Sequence, residues 1–136
     1  MKILKESDSH LILFDDQAEM IKTIWLPNCA DITEEEIRFK INLTVDFVLQ
    51  YKPKYYFADN SKQAFIYHPD IQNWVAATLA AVCAKVGLKK FALITPNDFI
   101  TELSLEQTAE EAGKNLPFEL KLFKNENDAT AWLGLS

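Results

Sequence analysis

Glycine is scarce in this chain, three residues in 136, and proline adds only five. A sequence that poor in both has little material for linkers, so a single domain over residues 1–136 is expected. Cysteine is limited to Cys29 and Cys83, far apart and with no Cys-x-x-Cys. A disulfide framework and a zinc ribbon are set aside, and both are read as thiols, Cys83 buried and Cys29 free. Histidine is as rare, with His10 in an early segment and His68 in the middle. No His-Glu-x-x-His, no glycine-rich phosphate loop and no Gly-x-Ser-x-Gly elbow occurs. Neither a metal nor a cofactor is expected.

Positive charge is in the minority, 14 basic against 20 acidic residues for a net −6. Nucleic acid draws its affinity from clustered Lys and Arg, so it is not an expected partner. The longest strongly apolar stretch, Trp74 to Ala84, is too short to cross a bilayer, and no membrane insertion is expected. Met1-Lys2-Ile3-Leu4 runs straight into charged residues, which does not read as a signal peptide; the expected location is cytoplasmic.

What the chain does have is core material: 49% of its residues are hydrophobic and 12% aromatic. Its first part reads as a three-strand meander, Lys2–Lys5, His10–Phe14 and Glu19–Leu26, with turns at Ser7-Asp8-Ser9 and Asp15-Asp16-Gln17. In the third strand Met20, Lys22, Ile24 and Leu26 alternate with Ile21, Thr23 and Trp25, so Trp25 lies near the strand end before Pro27. Thr33-Glu34-Glu35-Glu36 is a capping box opening a helix with Ile37, Ile41, Thr44, Val45 and Val48 on one stripe. The three glutamates suit the positive end of that helix better than a metal site.

Tyr55-Tyr56-Phe57-Ala58-Asp59 reads as a strand buried on both faces, and a polar loop follows from Asn60 to Tyr67. His68-Pro69-Asp70 opens a long helix to Val86, stopped by Gly87. Phe91–Thr95 is a further buried strand; Asp98–Lys114 is helical, with Ser104-Leu105-Glu106-Gln107 suggesting a kink or restart and Gly113 a stop. Phe118–Phe123 alternates as an edge or half-buried strand, and Asn125 caps a last helix that turns Ala129, Trp132 and Leu133 inward. The order βββ-α-β-α-β-α-β-α predicts an α/β fold: one mixed sheet, antiparallel in its meander and parallel beyond, with about four helices.

The candidate site is the loop between the Tyr55–Asp59 strand and the following helix, because ligands gather beyond the carboxyl ends of such strands. Asp59 is the best-placed carboxylate, able to bind a cation or act as a base, though an Asp there also forms turns. Asn60, Ser61, Tyr67, His68 and Asp70 complete the loop and helix start. His68 fits the N-cap position, and free N–H groups beside it could hold an anion, which Asp59 and Asp70 oppose. Trp25, Phe65, Tyr67 and Trp74 would supply an apolar wall, with Trp74 off the main stripe of its helix. Such a cleft suits an amphiphile.

With that order in hand, the chain resembles the STAS domain family, in its small SpoIIAA-like bacterial branch. The resemblance rests on the strand ending in Asp59, on Ile71-Gln72-Asn73-Trp74, on Lys89-Lys90-Phe91-Ala92-Leu93-Ile94, on Leu103-Ser104-Leu105-Glu106-Gln107-Thr108 and on Ala131-Trp132-Leu133. It implies a non-enzymatic binding or regulatory module whose partner is a protein, a second copy of itself or a small ligand. The switched members carry a phosphoserine in an Asp-Ser-Ser-Gly turn at the start of the second helix. Here Tyr67-His68-Pro69-Asp70 stands in that place and Ser61 lies at the other end of the loop, so no serine switch is expected at that turn. A shared architecture with CRAL-TRIO lipid carriers makes a carrier of a small apolar or amphiphilic ligand the alternative. An enzyme of unknown reaction comes third.

Overall fold

A computed structural model describes residues 1–66, 68–112 and 116–135. Six strands form one sheet in the order of the chain: β1 (Lys2–Glu6), β2 (His10–Asp15), β3 (Met20–Trp25), β4 (Tyr55–Asp59), β5 (Lys90–Ile94) and β6 (Glu119–Phe123). The first three are an antiparallel meander, and β3 to β6 run parallel. Four α-helices alternate with the later strands: α1 (Glu34–Tyr51), α2 (Pro69–Lys85), α3 (Phe99–Ala112) and α4 (Glu126–Leu133). The expected mixed α/β sheet is what the chain forms.

The helix ends follow from local chemistry. Thr33 accepts the N–H of Glu36 at 3.2 Å, and its hydroxyl also meets the Glu36 carboxylate at 3.2 Å. Lys52 ends α1 in the left-handed region (φ 48°), its N–H donating to the Val48 carbonyl. Gly87 follows α2 with φ 77°, a conformation glycine adopts without a side-chain penalty. Asn125 caps α4 by accepting the Asp128 N–H at 2.9 Å. Helix α3 is continuous through Ser104, so the expected kink or restart does not occur. Leu103 and Leu105 on either side favour helix, and the ladder runs on through the serine. The proposed stop, Gly113, lies outside the described residues.

Neighbouring parallel strands joined by right-handed crossovers that all advance one way put their helices on one face. Accordingly α1, α2 and α3 lie side by side on one face, and α4 packs against β4, β5 and β6 on the other. Strand alternation distributes the side chains. Ile12, Phe14, Ile21, Trp25, Tyr56, Phe91 and Leu93 enter the core under the three helices. Met20, Phe57, Ala92 and Ile94 meet Ala129 and Leu133 of α4. Strands β4 and β5 are covered on both faces, which is why they read as unbroken apolar runs. Trp132 is only half-buried: it lies against Phe123 and under the Lys90 ammonium, which also donates to the Trp132 carbonyl at 2.8 Å.

Helix α4 leaves the meander's share of its face uncovered. There Leu11, Leu13 and Ile24 are half-buried and Ile3 is 56% exposed.

Candidate functional site

At the carboxyl end of β4 the chain turns through an Asx turn. The Asp59 Oδ1 accepts both the backbone N–H and the hydroxyl of Ser61, at 3.0 and 2.6 Å. Both side chains of the expected site are thus used in forming the turn. The next residues close inward. Asn60 Nδ2 donates to Gln63 Oε1 at 2.8 Å, and Gln63 Nε2 donates to the Phe65 carbonyl at 2.8 Å. Cys29 Sγ, on the short 3-10 turn after β3, accepts the Ala64 N–H at 3.3 Å. The loop is therefore fastened to the end of the meander, and Phe65 is set edge-on to Trp25 with ring centroids 4.9 Å apart.

Under this loop, between the sheet and the three helices, lies an interior chamber of about 80 Å³. Its floor is strand side chains, Trp25, Tyr56, Ala58, Phe91 and Leu93, and its roof is Ile41, Ala76, Leu105 and Ala109 from α1, α2 and α3. Polar groups enter it as well: His10, Thr23, Thr44, Tyr56, Asn60 and Thr108. Some of these are satisfied internally. Thr23 Oγ1 donates to the Tyr56 hydroxyl at 3.2 Å, and Thr44 Oγ1 donates back to the Lys40 carbonyl at 2.9 Å.

His10 is different. It is 5% exposed, its ring sits 4.3 Å from that of Trp25, and neither ring nitrogen hydrogen-bonds to any described residue. Only its backbone is tied, to Ser7. Burial lowers its pKa to about 3, the nearby Lys40 charge adding to the effect. The imidazole is neutral at pH 7, with one donor and one acceptor.

The expected residues thus divide between two places. Trp25 and Asn60 line the chamber, whereas Asp59 and Ser61 form the turn above it. His68 occupies the N-cap position of α2, but its side chain makes no cap hydrogen bond and is exposed. It borders a separate open groove with Ile37, Phe65 and Ile66. Asp70 is exposed in the first turn of α2, where its charge complements the helix dipole. Trp74 does not join Trp25: it packs under the Arg38 guanidinium of α1, 4.8 Å from its ring centre, and lines neither the chamber nor the groove. Trp25 and Phe65 meet edge-on, while Trp74 lies on the flank of α2 facing α1. Tyr67 lies outside the described residues.

Sequence reasoning passed over His10, Thr23, Thr44 and Thr108. One signal was present: in His10-Leu11-Ile12-Leu13-Phe14 the histidine shares its face with Ile12 and Phe14. A polar residue in phase with core residues on a strand has to be satisfied or functional. Among the described residues no group of three His, Cys, Asp or Glu is gathered to hold a metal ion, and no helix is long and apolar enough to cross a membrane. Compared with family models, with curated proteins and with solved structures, the chain finds no match.

Proposed function

We propose that this chain is a non-enzymatic binding module of STAS-like type, cytoplasmic, whose ligand is a small, mostly apolar molecule held between the sheet and α1–α3. The observation that carries the reading is the chamber, largely apolar yet reached by a histidine whose ring nitrogens hydrogen-bond to no described residue. Small-molecule sites are concave and mainly apolar, with a few placed polar groups. The STAS-like element rests on the order of strands and helices and on the segments quoted for the resemblance, from the strand ending in Asp59 to Ala131-Trp132-Leu133. Size narrows the ligand: about 80 Å³ is below the roughly 150 Å³ of a cavity that takes benzene, so a compact molecule suits it and an extended acyl chain does not.

The test is a titration with 2-propanol and with octanoate, following tryptophan fluorescence, since Trp25 lines the chamber. A saturable response to 2-propanol and none to octanoate is expected. No response to either from a folded protein would defeat the reading.

A second reading, a protein-binding module, is favoured by the uncovered sheet face of Ile3, Leu11, Leu13 and Ile24. Its partner is taken as a second copy of this chain. Sedimentation over a range of concentrations decides it: a monomer throughout would remove that reading.

A further inference from the structure

The polar end of the chamber has a definite hydrogen-bonding character, and it follows from a relay. The Phe65 carbonyl can only accept, so the Gln63 group facing it is the amide nitrogen, at 2.8 Å. Gln63 then offers Oε1 to Asn60, which must answer with Nδ2, again at 2.8 Å. Asn60, 6% exposed and lining the chamber, is left with Oδ1 as an acceptor that no described residue fills. His10 adds one ring N–H donor and one ring acceptor, also unfilled.

We propose that His10 and Asn60 form the polar anchor of the chamber and select a neutral, compact alcohol of about four heavy atoms. This rests on the small-ligand reading and deepens it. A hydroxyl accepts one hydrogen bond and donates another, which is what a donor set beside acceptors requires. A pure hydrocarbon leaves these buried groups unpaired, and a ketone fills the donor only. A carboxylate or phosphate would enter an apolar chamber as a charge, and the cation that acts on His10, Lys40 of α1, already donates to the Ser7 hydroxyl at 2.9 Å.

2-Propanol and 2-methylpropane have the same branched shape and differ in the hydroxyl, so they are the probes. Binding to the wild-type chain is followed by tryptophan fluorescence and by the ring ¹⁵N resonances of His10. 2-Propanol is expected to bind about tenfold or more tightly than 2-methylpropane and to shift the His10 ring signals. In His10→Phe the preference is expected to shrink to about twofold, because the ring volume stays and the His10 hydrogen bonds go. His10→Gln, which keeps a donor and an acceptor, serves if the Phe variant does not fold and is expected to retain a preference for 2-propanol. Equal affinity for the two probes, or a preference unchanged in His10→Phe, or His10 ring signals that 2-propanol does not move, overturns the anchor and leaves the small-ligand reading standing. No binding of either probe overturns both, leaving the chamber to water.

Discussion

His10 links burial to acid stability. An unfolded histidine titrates near 6.5, whereas burial and then Lys40 lower this one to about 3. Between those values the unfolded chain binds more protons than the folded one, so stability rises with pH there. The contribution is fully present above about pH 6.5 and is lost progressively as the pH falls toward 3. The slope is at most about 1.4 kcal/mol per pH unit. Urea unfolding near pH 7.5 and near pH 5 is expected to show the wild type losing roughly 1–2 kcal/mol more than His10→Leu, the carboxylates being common to both. Equal losses would mean that the ring reaches water or a partner. Asp59 and Ser61 illustrate the opposite case. Their place after a strand marked them for a site, and they bond to each other at 2.6 Å in the turn. Chain position could not distinguish a turn former from a ligand contact, because the two uses share residue types.

Elements were far more legible than the site. The alternation of Met20 to Trp25 and the unbroken runs of β4 and β5 follow from burial on one face or two, and they placed every strand within a residue or two. Caps at Thr33 and Asn125 announced α1 and α4 for the same local reason. What failed at this level was non-local. Ser104-Leu105-Glu106-Gln107 has the letters of a capping box, yet sits inside an uninterrupted α3, where the backbone groups it would satisfy are already paired. Trp74, expected in a wall with Trp25, packs under Arg38 and lines neither space. Trp132, expected to be largely buried, is part-buried between Phe123 and Lys90. Trp132→Ala is therefore expected to cost about 2 kcal/mol in urea unfolding, below the 3–5 kcal/mol of a fully buried aromatic. A loss under about 0.5 kcal/mol would show that α4 docks through Ala129 and Leu133 alone.

For the molecule as a whole, the informative feature is a mismatch of volumes. Three helices lie over a sheet whose inward positions include small residues, Ala58 on β4 beneath Ala76 and Ala109 from the helices, and the space is not closed by a larger neighbour. Interiors are ordinarily packed to crystal density, so room for a few water molecules beside a histidine with unfilled ring nitrogens is the feature on which the proposed ligand site rests. No periodicity or motif encodes that room. It arises where residues from eight elements meet, which is why His10 and Asn60 become a pair only in three dimensions.

Filling that room tests the central claim most directly. Ala76→Leu adds three carbons to the chamber roof, and Ala109→Val is the milder alternative should the larger side chain not be accommodated. 2-Propanol affinity, measured by titration beside urea unfolding of the same samples, is expected to fall about tenfold or more while stability holds or rises. Unchanged 2-propanol affinity in a folded, filled variant would place the ligand outside the chamber and contradict the account.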